Sequence, residues 1–133
     1  MIDRFSRPLR GLRISVTYRC NFRCFFCHAE GLERGPVEEL RPREVELLAR
    51  AASSLGASEA KLTGGEPLTR GDAVDLVSAA KRGGINEISM TTNGSLLSDL
   101  ARELAEAGLR RVNISLHSLN PRLFRGDHEG RIP

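Results

Sequence analysis

Cys20-Asn21-Phe22-Arg23-Cys24-Phe25-Phe26-Cys27 holds all three cysteines of the chain, spaced C-x3-C-x2-C. Three thiolates on one short loop form a metal-binding set, and an incomplete one. A structural zinc takes four protein ligands. A ferredoxin-type cluster takes four cysteines in other spacings. Three thiolates on a four-iron cluster leave one iron without a protein ligand, and an open coordination position is where metal chemistry on a substrate takes place. An odd number of closely spaced cysteines favours a metal over disulfides.

Working outward, the rest of the 133 residues bound the context. The chain is 40% hydrophobic and 28% charged, as expected of one ordinary globular domain. No apolar run approaches the ~18 residues of a membrane span. The opening MIDRFSRPLRG lacks the apolar centre of a signal peptide. A cytoplasmic protein with no membrane partner is expected. A net charge of +3 is too small to argue for nucleic acid. Arg10, Arg13, Arg19 and Arg23 surround the cysteines, and read either as an attraction for an anionic ligand or as a solvated basic rim.

Residues 12–17 (LRISVT) alternate apolar and polar and read as a first strand, which puts the cysteine loop at its C-terminal end. Gly31, Gly35 and Pro36 mark residues 29–40 as loop. Pro42 suits a first helical turn. Val45, Leu48, Ala52 and Leu55 then form a helical stripe that Gly56 stops. Glu59–Thr63 is a second strand. Asp72, with Asp75 three residues on, reads as a capping arrangement for a helix ending near Arg82. Residues 85–92 form a third strand. Leu97, Leu100, Leu104 and Ala107 define a third helix, and residues 111–116 a fourth strand. Asn120-Pro121 opens a last helix. The order β-α-β-α-β-α-β implies a parallel α/β sheet with right-handed crossovers, whose ligand site lies at the carboxyl ends of the strands.

Two further stretches sit at those ends. Gly64-Gly65-Glu66-Pro67 is either a tight turn or a place where backbone approaches a ligand closely. It is not a phosphate-binding P-loop, because the closing Gly-Lys-Ser/Thr is missing. Val112-Asn113-Ile114-Ser115-Leu116 places Asn113 and Ser115 on one face, which needs partners if it lines an interior. Those partners are a ligand or internal hydrogen bonds.

The cysteine loop, with Phe26 in its aromatic slot, followed by Gly-Gly-Glu after the next strand, resembles the radical S-adenosylmethionine (SAM) enzymes. The resemblance implies a partial (βα) radical SAM barrel of about four parallel strands. It implies a [4Fe-4S] cluster on Cys20, Cys24 and Cys27, with SAM chelating the remaining iron. An electron from a reducing donor then splits SAM into methionine and a 5′-deoxyadenosyl radical, which takes a hydrogen atom from the substrate. Phe26, Gly64, Gly65, Glu66 and Ser115 would hold SAM.

DRFSRPLRGLRISVTYRCNFRCFFC, KLTGGEPLTRGD, TTNG and GLRRVNISL narrow the resemblance. They are similar to the GTP 3′,8-cyclases of molybdenum cofactor biosynthesis, and Cys27–Gly31 to their archaeal branch. Those lyases convert GTP to (8S)-3′,8-cyclo-7,8-dihydroguanosine 5′-triphosphate. By that match Arg13, Lys61 and Thr91 would contact GTP. Lys61 stands where arginine is common, so a bidentate grip becomes a point charge. Phe26 replaces a usual tyrosine. His117 replaces a usual aspartate and reads as a surface or supporting residue.

Members of that family are much longer, with a second cysteine triplet and a Gly-Gly tail. Residues 1–133 correspond to the N-terminal part of a radical SAM core, and the fragment is expected to be inactive as a cyclase by itself. An open sheet with uncovered apolar surface, prone to self-association, is expected. Two other readings stand beside this one: a radical SAM enzyme acting on another substrate, such as a peptide, and a non-catalytic metal-binding module.

Overall fold

The computed structural model describes residues 1–24, 26–27 and 38–127, the side chains of residues 125–127 excepted. The strands are β1 (Gly11–Thr17), β2 (Glu59–Gly64), β3 (Glu87–Thr92) and β4 (Leu109–Ile114). They alternate with helices α1 (Pro42–Ser54), α2 (Ala73–Arg82), α3 (Leu97–Ala107) and α4 (Pro121–Asp127). All pairings are parallel, in the order β1-β2-β3-β4. This is the partial α/β barrel architecture expected. Most of the loop expected at residues 29–40, including the CHAEG stretch after Cys27, lies outside the described residues.

One face of the sheet is apolar and one is polar, and this decides where the site can be. Ile14, Val16, Ala60, Leu62, Ile88 and Met90 are buried on the first face. Val45 and Ala49 of α1, Leu76, Val77 and Ala80 of α2, and Leu104 of α3 belong to the same core. Alanines at the helix contacts let backbones approach, and burial of the larger side chains contributes about 1.5–3 kcal/mol each. Alternation along the strands puts Arg13, Lys61, Ser89 and Arg111 on the opposite face.

Element boundaries moved for identifiable reasons. β3 begins at Glu87 because Ile85 is wholly buried in the turn that precedes it. β4 begins earlier than expected, at Leu109, whose side chain joins the core. Asp72 is the N-cap residue of α2, but its carboxylate does not cap. It takes two hydrogen bonds from Arg70 instead, at 2.7 and 2.6 Å. Asn120 does cap α4, accepting from the Arg122 N–H at 3.0 Å.

The β1–β2 register slips between Ser15 and Thr17, so Val16 has no partner in the ladder. Arg70, almost fully buried, donates to the carbonyl of Val16 at 2.6 Å. Glu39 closes the same corner: it accepts from the Thr17 hydroxyl and makes a two-bond fork with Arg19 at 3.1 and 2.9 Å. Arg19, one of the four arginines expected near the cysteines, is thus paired with Glu39 while its side chain stays largely exposed. Ile114, Leu116, Leu119 and Leu123 are exposed, the uncovered apolar surface expected beyond an open edge. No described helix is long and apolar enough to cross a membrane.

The Arg70 hydrogen bonds hold the Asp72 carboxyl below its ordinary 3.8. Burial raises Glu39, but the bonds and charges of Arg19, Thr17 and Arg70 outweigh it and leave the group below 4.5. Groups lowered on folding contribute stability above their unfolded values that is lost as pH falls through the folded ones. Urea midpoints are therefore expected to be flat from pH 7 to 5 and to fall below about pH 4. Arg70→Ala should lower stability by about 3 kcal/mol at pH 7 and remove part of that acid dependence.

Candidate functional site

The C-terminal ends of the strands converge on a cavity of about 200 Å³. Cys24, Phe26 and Cys27 line it from the loop after β1, and Gly64, Gly65 and Glu66 from the end of β2. Thr91 and Asn93 line it from β3, and Ser115 and His117 from the chain after β4. Two thiols, the Gly-Gly-Glu turn and the polar ends of β3 and β4 thus share one space, although they are far apart in the chain.

Glycine is required at both turn positions. Gly64 has φ +145°, and a Cβ there would stand 2.2 Å from the Thr17 carbonyl oxygen. A Cβ on Gly65 would stand 2.2 Å from that of Arg19. Both distances are far inside van der Waals contact. Bare backbone lets the Gly65 N–H bond Thr17 and the Glu66 N–H bond Arg19, each at 2.8 Å. The glycines therefore seat the turn against the approach to Cys20, a reason in addition to any ligand.

Glu66 is 1% exposed. Its Oε1 accepts from the Leu68 N–H at 3.0 Å and the Thr92 hydroxyl at 2.7 Å. Its Oε2 accepts from the Asn93 N–H at 2.6 Å. A carboxylate is all acceptor and suits three donors. The residue expected only as a cofactor contact thus also ties the end of β2 to the end of β3, while still bordering the cavity.

From Asn93 the network reaches the cysteine loop. Asn93 Nδ2 donates to Asn21 Oδ1 at 2.8 Å, Asn21 Nδ2 donates to Ser95 at 2.9 Å, and the Ser95 hydroxyl donates back to Asn93 at 2.7 Å. Asn21 follows Cys20 directly. The closed ring of three polar side chains fixes the start of the cysteine loop over the β3–α3 turn. Phe22, buried one residue later, meets Phe124 of α4 edge-on at 6.1 Å.

The three cysteines are free thiols and differ in setting. Cys24 and Cys27 border the cavity, and the Cys27 N–H bonds the Cys24 carbonyl at 3.0 Å. Cys20 is half-buried and does not line the cavity, and its Sγ accepts from the Phe22 N–H at 3.4 Å. Burial pushes the Cys20 thiol up, partly offset by that bond. Among the described residues no three His, Cys, Asp or Glu side chains are closed on a single point. The donor chemistry nevertheless fits an iron–sulfur cluster: three soft ligands from one loop, beside a cavity with room for a further ligand.

The family profile of the radical SAM superfamily matches residues 14–132. The chain belongs to that superfamily. A probable GTP 3′,8-cyclase of Thermococcus kodakarensis is 54% identical over 125 residues, covering 94% of this chain and 40% of that protein. One of Metallosphaera sedula is 46% identical over the same share of this chain and 39% of its own length. The chain therefore spans about two fifths of these relatives. Among solved structures, SuiB of Streptococcus suis bound to S-adenosylmethionine superposes with a TM-score of 0.76 at 25% identity, covering 94% of this chain and 29% of that one. SAM and an iron–sulfur cluster are the general cofactors of the superfamily.

Within this radical SAM fold the expected site residues divide. Phe26, Gly64, Gly65, Glu66, Thr91, Ser115, Cys24 and Cys27 meet at the cavity, whereas Cys20, Arg13 and Lys61 do not line it. His117, expected as a surface or supporting residue, borders the cavity with its ring 4.4 Å from that of Phe26. The sequence gives Asn93 as part of an Asn-Gly turn after the third strand and assigns no role to Asn21 or Arg70. An Asn beside a cysteine and an Asn-Gly turn carry no local sign that they will meet.

Gly65→Ala should destabilise the chain by at least about 1–3 kcal/mol, because the obstacle is backbone that cannot move aside. Glu66→Gln places an amide NH2 where donors already point and should cost about 1–3 kcal/mol. Both are read as urea midpoints on the metal-free chain.

Proposed function

We propose that this chain is the cluster- and SAM-binding part of a GTP 3′,8-cyclase, the lyase that opens molybdenum cofactor biosynthesis. The observation that carries the reading is the shared cavity, where Cys24, Cys27, Gly64–Glu66 and Ser115 border one space at the strand ends. The likeness to probable cyclases along almost the whole chain supports it.

Cys20, Cys24 and Cys27 hold the [4Fe-4S] cluster. When bound, it supplies the electron that cleaves SAM homolytically. The backbone of Gly64 and Gly65 and the remaining acceptor capacity of Glu66 Oε2 receive the SAM amino group. Phe26 and Ser115 bound its other sides. Thr91 faces the GTP ribose from β3, while Arg13 and Lys61 meet its phosphates lower on the polar face. Three closely spaced thiols that must stay reduced fit a cytoplasmic setting with a reducing partner. The chain by itself binds and cleaves SAM but does not cyclise GTP, because the polar face is open beyond β4.

Anaerobic reconstitution with iron and sulfide tests this. The expected result is about four irons per chain, with 5′-deoxyadenosine released from SAM on reduction. One zinc per chain and intact SAM would overturn the proposal in favour of a metal-binding module. Cys24→Ser should lose the cluster's visible absorbance, since only two thiolates remain. Full iron content in that variant would remove the ligand assignment.

A further inference from the structure

We infer that Arg111 is a substrate-binding residue, the third cation of a row with Arg13 and Lys61 that takes the polyphosphate tail of the nucleotide. The inference rests on the nucleotide reading above and extends it to a residue of the GLRRVNISL stretch to which the resemblance assigns no role.

The row is a consequence of register. Arg13 pairs with Lys61, Lys61 with Ser89, and Ser89 with Arg111, so the four lie side by side across the sheet. All are on the face opposite the core. Leu12, Ile14, Leu62, Ile88, Met90 and Val112, their neighbours along the strands, pack into that core. Arg13, Lys61 and Arg111 are exposed. None of the three makes an ion pair or side-chain hydrogen bond with a described residue.

Arg111 reaches this face through a bulge. The β3–β4 register steps from Ile88↔Leu109 to Ser89↔Arg111, leaving Arg110 without a partner. Leu109 is in the core. Strict alternation from Leu109 would turn Arg110 toward the polar face and Arg111 toward the core side. The extra residue reverses this, as bulges do when they re-aim a side chain. It also brings Asn113 opposite Thr91.

The rows on either side set the direction of a ligand. One step toward the strand ends, about 6.6 Å away, lie Ser15, Thr63, Thr91 and Asn113. Thr63 and Thr91 of that row line the cavity. One step the other way lie Glu59 and Glu87, paired across β2 and β3. A ligand entering from the cavity would meet hydroxyl and amide groups first, then cations, then carboxylates that stop an anion sliding further. That sequence fits a sugar followed by a chain of phosphates.

Three unpaired cations on one row repel each other and add nothing to the core, so an anion offsets their cost. From β1 to β4 the row spans three strand spacings, about 14 Å, which is broad for a single phosphate. Arg111 brings a planar fork that can hold two phosphate oxygens, whereas Lys61 supplies a point charge.

The test measures equilibrium binding of inorganic tripolyphosphate, orthophosphate, GTP and guanosine to the chain, wild type and Arg111→Ala, with Arg110→Ala as control. Both residues are exposed, and thermal melting confirms that the variants are folded. Arg111→Ala should weaken tripolyphosphate and GTP about tenfold, the scale of one charge-assisted contact, and leave guanosine unchanged. Arg110→Ala should match wild type, and Arg111→Lys should recover part of the loss. Equal effects of the two alanine variants would overturn the inference. So would wild-type binding of orthophosphate as tight as tripolyphosphate, or no binding of tripolyphosphate. SAM cleavage by the reconstituted chain is scored separately. Its failure with tripolyphosphate binding intact would sink the enzyme reading and leave the cation row standing.

Discussion

The carboxylate of Glu66 is the point on which the site depends. It is buried, it sits at the end of β2, and its three acceptor bonds reach the turn that follows and the end of β3. The preceding glycines press the same turn against the carbonyls of Thr17 and Arg19. Three strand ends are thereby fixed to one another by polar bonds made away from water, where an unmade partner is costly. Without that weld the cysteine loop, the turn and Thr91 would sit on three independently fraying ends.

The same weld carries outward to the metal-binding loop. Asn93, held through its N–H by Glu66, holds Asn21 through its side chain, and Asn21 adjoins Cys20. On the other flank Arg70 and Glu39 hold the slipped end of β1. The loop that presents the thiols is therefore anchored at its start from two sides before any metal arrives. Preorganisation of this kind lowers the ordering cost that a cofactor would otherwise meet on binding.

The sheet separates these duties by face. The apolar face carries the core and supports the fold through helix packing. The polar face carries side chains that contribute little to folding and are free to meet a ligand. Register breaks in β1 and β4 adjust this division locally: the first frees the Val16 carbonyl for Arg70, and the second turns Arg111 to the polar face. Each extra residue costs a ladder bond and re-aims a functional group.

The sequence by itself determined the alternation of strands and helices, because apolar periodicity and glycine or proline stops are local signals. It picked out the cysteine loop, because three closely spaced thiols are a local signal, and through family likeness it pointed to residues that line the cavity. Only the tertiary structure decided how those residues are held. That Arg19 pairs with Glu39, that Arg70 reaches the Val16 carbonyl and that His117 reaches the cavity all depend on partners distant in the chain or on how the strand ends converge. Which arginine of the Arg110-Arg111 pair joins the polar row depends on a bulge, and a bulge follows from how two strands must pair, which no single stretch of residues records.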